Sequence, residues 1–408
     1  MYIVGIDIAK NSHQAAIMNE DGSLVGRAFM FSNTRDGFLF LMEKLAAVDR
    51  ALEHFEFGME ATGHYWLNLY TWLAEKKAVV HVINPLQSDA LRNLYLRKTK
   101  TDSVDAKIIA QVIRIGQYSE THLADERMLS MRDLCRQRFF LVDSAADFKR
   151  KIIAMMDRMF PEYQGFFSDT FGKSSSAVLR NCTSPEEIVS LGTENLAGIL
   201  HSASNGKFSE RKAADLIFLA KNSFSARFSS ETLSLLVKQM MEHIDLANRQ
   251  IENLERLISQ RFQSFDTKIT QVPGIGPVLG ATILSEIGDI RRFSSSKKLA
   301  AYAGIDPSVI QSGQFTGTES HMSKRGSYYL RRALWVAAFV SVNHNKEVIQ
   351  LYKSKTAEGK SHFQAMGFVC HKLLNSIYAV LKHGEDYIPF SVPMNAPSYG
   401  YAAALASG

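Results

Sequence analysis

Four carboxylates in this 408-residue chain fall where hard-metal chemistry would need them: Asp7 in YIVGIDIAK, Glu60 in FGMEATGHY, and Asp102 with Asp105 in KTKTDSVDAK. Asp7 closes an apolar run of β character (Tyr2, Ile3, Val4), and Glu60 closes a second one (Phe55, Phe57, Met59). Asp102 and Asp105 stand three apart at an expected helix start, so both side chains leave one face. Carboxylates held about 4 Å apart repel by roughly 4 kcal/mol per pair at an effective dielectric near 20. Divalent cations relieve that repulsion, and an all-oxygen ligand set favours Mg2+ or Mn2+. Two such ions can activate one oxygen of a phosphodiester and stabilise the other. Taken singly, an Asp after a β-run is a common loop cap and Asp102 a plausible helix N-cap. The set gains weight from the order of the elements that carry it.

Residues 2–8, 12–18 and 24–31 read as strands, the second and third joined across Asp21-Gly22, a hairpin signal. A helix is expected over 34–48, a strand over 54–60, a helix over 64–76 and a strand over 78–83. Further helices are expected over 86–96 and 103–116. Three strands followed by alternating helix and strand is the order of an α/β ribonuclease-H-like fold.

On GIDIAK, EATGHY, VINP (Val82 to Pro85) and KTDSVDA (Lys100 to Ala106), the first part of the chain resembles the DEDD transposases of insertion sequence family 110. That family includes the Piv-type DNA invertases and the bridge-RNA-guided recombinases. The resemblance implies a RuvC-like catalytic domain over 1–118, with Asp7, Glu60, Asp102 and Asp105 as the metal-binding acids.

Charge placement is compatible with a nucleic-acid partner. From Asp266 onward there are 15 Lys and Arg against 9 Asp and Glu, which accounts for the whole net charge of +6. A local cluster, Arg92, Arg97, Lys98 and Lys100, precedes the Asp102 pair. Such clusters suit phosphate backbones, although Lys and Arg also commonly form a solvated helix face. No apolar stretch is long enough to span a bilayer, and the first twenty residues do not read as a signal peptide. Cys135, Cys182 and Cys370 offer neither metal spacing nor a disulfide framework, so buried thiols and a bacterial cytoplasmic location are expected.

Two heptad segments follow. Leu141, Ala145, Phe148, Ile152, Met155 and Met159 recur at steps of four and three, as do Leu233, Val237, Met240, Ile244, Ala247, Ile251, Leu254 and Ile258. Each reads as a coiled-coil seam, paired with the other as an antiparallel hairpin or with another subunit. The coiled-coil region is placed at 119–265, broken by Pro161 and interrupted by a Ser/Gly/Asn-rich insertion over 163–230.

The last domain, 266–387, is expected to be mainly α. It opens with Pro273-Gly274-Ile275-Gly276 before an apolar helix, which resembles a helix-hairpin-helix loop. There Gly274 and Gly276 would let the turn tighten and the helix amides meet a phosphate. Ser308, Ser312, Ser320, Ser323 and Ser327 follow, and the residues alone do not choose among them. The family pattern does: Gly304-Ile305-Asp306-Pro307, Ser312-Gly313, Ser323-Lys324-Arg325-Gly326 and Leu330-Arg331-Arg332 match its carboxy-terminal transposase domain in order. The resemblance implies that Ser312 is the nucleophile. Arg97, Lys98, Lys100, Lys324, Arg325, Arg331 and Arg332 are the expected nucleic-acid contacts. Residues 388–408 read as a loose tail.

The activity implied is DNA transposition or recombination on double-stranded donor and target DNA, with a bridge RNA as guide and a dimer or tetramer as the working assembly. A Piv-like invertase without guide and a RuvC-like structure-selective nuclease are the nearest alternatives. An actin-like ATPase would need a second glycine-rich phosphate loop, which is not found. A DNA-bridging protein would leave the acids without purpose. Tyr328 and Tyr329 beside Arg331 lack the His/Arg set of a tyrosine recombinase. His64, four residues after Glu60, is assigned to the surface or the periphery of the metals.

Overall fold

The computed structural model describes residues 1–61, 63–83, 88, 91, 102–116, 118, 125–225, 229–307, 311–312, 315–316 and 322–389. The chain divides into two compact units, Met1–Leu123 and Ala124–Gly408.

In the first unit the apolar runs form five strands: β1 (Tyr2–Asp7), β2 (Ser12–Asn19), β3 (Phe29–Ser32), β4 (Phe55–Glu60) and β5 (Val79–Ile83). Their order in the sheet is β3-β2-β1-β4-β5. The first three strands pair antiparallel, whereas β1, β4 and β5 pair parallel. This mixed sheet is compatible with a ribonuclease-H-like fold. Parallel strands must be covered on both faces. Val4, Ile6, Phe55, Phe57 and Met59 meet α1 (Arg35–Ala46) and α2 (Trp66–Glu75) on one side. Ile3, Met18 and Ile83 meet α3 (Asp102–Ile115) on the other. The strand expected over 24–31 is shorter and later than its composition suggested. Gly26 takes φ +76° and interrupts it, leaving Leu24 an isolated bridge to Met18. Of the helix expected over 86–96, only Ser88 and Leu91 are among the described residues, and both are helical.

In the second unit the two heptad segments are long helices, α4 (Glu126–Met159) and, after an excursion, α8 (Ser230–Phe262). Asp125 caps α4 by accepting the Met128 amide at 2.8 Å, and Pro161 follows its end. The two helices pack antiparallel within the chain. Arg261 donates to Ser130 at 2.8 Å, Arg138 pairs with Glu255 at 2.6 Å, and Phe148 stacks on His243 at 5.0 Å. Leu141, Ala145, Ile152 and Met159 are buried with Leu233, Val237, Ile244, Ala247 and Ile258. At two places the buried methionine is one residue past the heptad position, Met156 rather than Met155 and Met241 rather than Met240. A straight helix drifts by ~20° per heptad, and here the drift turns those residues toward the excursion.

The Ser/Gly/Asn-rich insertion is helical. Three helices, α5 (Lys173–Asn181), α6 (Pro185–Ala203) and α7 (Glu210–Lys221), bury Tyr163, Val178, Leu179, Ile188, Leu196 and Leu216 against the far ends of α4 and α8. Its serines are spent locally: Ser184 caps α6, and Ser175 bonds the Tyr163 hydroxyl at 2.8 Å. The other end of the long pair joins a separate core. There Met131, Cys135, Ile258 and Phe262 pack with α9 (Pro277–Ile287), α10 (Ser296–Ala303), α11 (Tyr328–His344), α12 (Lys346–Ala357) and α13 (His362–His383). Among the described residues no helix is long and apolar enough to cross a membrane.

Candidate active site

Each acid of the first unit is placed by the sheet. The β1–β4 register runs from Tyr2 opposite Phe55 to Ile6 opposite Met59, so Asp7 and Glu60 are the next residues at the ends of adjacent parallel strands. Side chains alternate along a strand, so Asp7 shares the face of Ile3 and Gly5, and Glu60 that of Gly58. This is the face α3 covers. Ligand sites of parallel sheets form at this carboxyl end of the strands.

Gly5 and Gly58, register partners, let α3 lie almost on the sheet backbone. A Cβ on Gly5 would sit 2.1 Å from the Ala106 carbonyl and 2.4 Å from the Ala110 nitrogen; one on Gly58 would sit 2.4 Å from Ile113. The helix runs against β1, because near its end Arg114 reaches the Glu20 carbonyl and Gly22, beside the start of β1. Its 14 residues span about 21 Å, matching a six-residue strand of about 20 Å. The first turn of α3 therefore comes to the end of the sheet where Asp7 and Glu60 stand. Asp105 is buried there, and Asp102, one turn earlier, is exposed.

The backbone thus brings all four acids to one end of one sheet face. Among the described residues no three His, Cys, Asp or Glu side chains are gathered closely enough to hold an ion. The donor set is all carboxylate, which suits a hard divalent cation. His64 is exposed, its ring 4.4 Å from that of Tyr65. Arg92, Arg97, Lys98 and Lys100 lie outside the described residues.

In the second unit Gln311 and Ser312 form β6, which pairs antiparallel with β7 (Phe315–Thr316), Ser312 opposite Phe315. Two flanking motifs meet at the root of this segment. Pro307 bridges Met322, the Ser323 amide donates to the Asp306 carbonyl at 2.8 Å, and the Ser323 hydroxyl bonds the Asp306 carboxylate. Next, the amides of Lys324 and Ser327 donate to the carbonyls of Gly304 at 3.0 Å and Tyr302 at 2.8 Å. Ser327 also caps α11 and donates to Glu286 at 2.8 Å. Ser323 and Ser327 are therefore structural; Ser308 and Ser320 lie outside the described residues.

The basic residues expected to clamp phosphate divide into two pairs. Lys324, at φ +52°, and Arg325 are exposed. Arg331 and Arg332 are instead engaged within the unit. Arg331 donates to the Ala303 carbonyl at 3.1 Å, and Arg332 makes a two-pronged pair with Asp143 at 2.7 Å over the Phe139 ring. The bond to Asp143 holds the Arg332 guanidinium above its ordinary pKa. Their place beside the start of α11, where it meets α10 and α4, is what diverts them.

The two glycines of the PGIG turn also differ. Gly274, at φ +77°, abuts α11, where a Cβ would lie 2.3 Å from the Ala337 carbonyl and from the Ser341 hydroxyl. Ser341 in turn donates to the Pro273 carbonyl at 2.7 Å. Gly276 has open space around it at the start of α9.

Sequence reasoning missed Glu286. It is 1 % exposed and takes both prongs of Arg136 at 2.7 and 3.1 Å. Arg132, one turn earlier on α4, donates to the Ser285 carbonyl at 2.7 Å. A carboxylate inside the apolar helix GATILSEIG was the available signal.

Comparison with known proteins relates both units of the chain to transposases. A DEDD-type IS110 family model described as a transposase matches residues 4–161, and the Transposase IS116/IS110/IS902 family model matches residues 266–353. The uncharacterized 42 kDa protein of insertion element IS900 from Mycobacterium paratuberculosis is 24% identical over 405 residues, covering 94% of this chain and 96% of its own. The mini-circle putative transposase for IS117 of Streptomyces coelicolor is 23% identical, covering 94% of each chain. The pilin gene-inverting protein of Moraxella bovis is 24% identical, covering 94% of this chain and 97% of its own.

Proposed function

Because the chain belongs to the IS110 family of transposases and is a DNA transposase or recombinase, we propose that it cuts and rejoins DNA by attack of Ser312 on a phosphodiester, assisted by metal ions at Asp7, Glu60, Asp102 and Asp105. What supports the reading is that the strand ends bearing Asp7 and Glu60 and the helix start bearing Asp102 and Asp105 lie at the same end of one sheet face, in a chain whose second unit bears the serine segment. Bound there, Mg2+ or Mn2+ would offset the phosphate charge and favour the alkoxide form of the serine.

The Ser312 oxygen forms a bond to phosphorus as the bond from phosphorus to a deoxyribose oxygen breaks, and that oxygen leaves as a hydroxyl. A hydroxyl from the second DNA site then attacks the phosphoserine, restoring the serine and joining the strands. The phosphoester bond is conserved throughout, so no external energy source is needed. Exposed Lys324 and Arg325 neutralise nearby phosphates, and the helix start after Gly276, where the space is open, accepts another. Two or four copies assemble in the bacterial cytoplasm, the acids of one facing the serine of another, and a bridge RNA pairs with both DNA sites.

The test is the covalent intermediate. Ser312→Ala should lose the protein–DNA adduct on denaturing gels while DNA affinity stays within about twofold, and Asp102→Ala should lose metal-dependent cleavage. Adduct persisting in Ser312→Ala moves the nucleophile elsewhere. The likeness to a pilin gene-inverting protein over almost its whole length favours a second reading, an invertase without guide. Sequencing the RNA retained by protein expressed with its native flanking DNA separates the two. One discrete structured RNA supports the guided enzyme; random cellular RNA on an active protein supports the invertase.

A further inference from the structure

The root of the Ser312 segment holds more bonds than a connector needs. Residues 302–306 and 323–327 are joined by three backbone hydrogen bonds, by the Pro307–Met322 bridge and by the Ser323 hydroxyl on the Asp306 carboxylate. Two glycines permit this close approach. A Cβ on Gly326 would lie 2.2 Å from the Tyr302 carbonyl, and one on Gly304 would lie 2.7 Å from the Arg331 guanidinium. The 323–327 segment is fastened again from behind, since Ser327 bonds the buried Glu286 and Glu286 is held by Arg136 of α4. Ser312 and the β6–β7 pair lie in the chain between the two sides of this stem.

We infer that Asp306 is a positioning residue for strand transfer: its bond to Ser323 latches the stem and so sets where Ser312 and the exposed Lys324–Arg325 pair stand relative to one another. This rests on Ser312 being the nucleophile. A nucleophile misplaced by about 1 Å can cost on the order of 100-fold in rate, so a latch at the root acts on chemistry and leaves DNA capture almost untouched.

A reversible replacement of the latch tests this. Positions 306 and 323 are register partners beside the antiparallel Pro307–Met322 bridge. Such partners have Cα atoms about 4.5–5.5 Å apart, within the span a disulfide closes. The native thiols of Cys135, Cys182 and Cys370 are buried and stay out of the exchange. In the full-length protein, Asp306→Ala should slow adduct formation on pre-bound DNA by at least tenfold with DNA affinity and melting temperature nearly unchanged. The double variant Asp306→Cys with Ser323→Cys should be equally slow when reduced and regain most of the lost rate when oxidised.

An unchanged rate in Asp306→Ala, or a double variant that reacts faster reduced than oxidised, overturns the latch. If Asp306→Ala lowers the melting temperature, the two redox states of the double variant still decide, since their sequence is the same. Ser312→Ala on the same substrate separates the two readings. Adduct surviving there removes the nucleophile assignment; adduct lost there but formed at full rate in Asp306→Ala removes only the latch.

Discussion

At the scale of single residues, partners decide what a charge can do. Arg325 and Arg332 are seven apart in one motif, yet one is exposed and the other shares a two-pronged bond with Asp143. Arg325→Ala or Lys324→Ala should lower the slope of log affinity against log salt by about 0.9 each in DNA-binding titrations. Arg332→Ala should leave that slope alone and cost about 1 kcal/mol of stability in a denaturant melt. His13 makes the corresponding case for protons. It is 1 % exposed between Phe31 and Phe38, accepts the Ala9 amide through Nδ1 at 3.3 Å, and burial lowers its pKa below the ordinary value of 6.5. With the folded pKa depressed, its stabilising share is complete above pH 6.5 and is lost as pH falls below it, at up to about 1.4 kcal/mol per pH unit. Thermal melts of the first unit between pH 8 and 5 should show this decline, and His13→Phe should flatten it. An equal decline in that variant would assign the effect to another group.

At the scale of elements, the acids depend on how closely α3 approaches the sheet. Gly5→Ala drives a methyl group into the Ala106 carbonyl, so the helix must move or the strand bend, at a cost of about 2–3 kcal/mol. The melting temperature of the first unit should fall, and its affinity for Mn2+, followed by electron paramagnetic resonance, should fall with it. Gly276→Ala, with nothing within 4 Å, is the control and should melt like the parent. Loss of stability with unchanged Mn2+ binding would detach Asp102 and Asp105 from the site.

Much of this was legible beforehand. Apolar runs of β character at Tyr2–Asp7 and Phe55–Glu60 locate two acids at strand ends, and the apolar pattern from Asp102 locates the other two at a helix start. The packing of Gly5 against Ala106 was not legible, because a glycine in a strand reads only as a weak point until its neighbour is known. Nor was Glu286, whose partners Arg136 and Ser327 lie 150 residues before it and 41 after it. The helices within 163–230 were not legible for a related reason: a serine that caps a helix, as Ser184 does, or bonds a buried tyrosine, as Ser175 does, cannot be told by composition from one in a loop.

At the scale of the whole molecule, the second unit has two apolar cores at opposite ends of one helical hairpin. Met131 and Cys135 of α4 belong to one core, and Ile152, Met156 and Met159 to the other, about 25 Å along the helix from Cys135 to Ile152. Phe148 and His243 face each other between them. Deleting residues 149–242 and joining the helices there by a short glycine-containing loop should therefore leave the Ser312-bearing core folded, with its own cooperative melt. Failure of the shortened protein to show that transition would mean that the two cores are one cooperative unit.

The same hairpin sets an order of events during synthesis. Ser130 and Arg261, bonded at its root, are 131 residues apart. At about 5–20 residues per second, α4 waits roughly 7–26 s after leaving the ribosome before its partner helix exists. Throughout that interval its apolar stripe has only nearer segments to meet, and α5, α6 and α7 are made first. They can cover the Ile152–Met159 end before α8 arrives, so this helical excursion shields a nascent surface that would otherwise stand exposed to neighbouring chains.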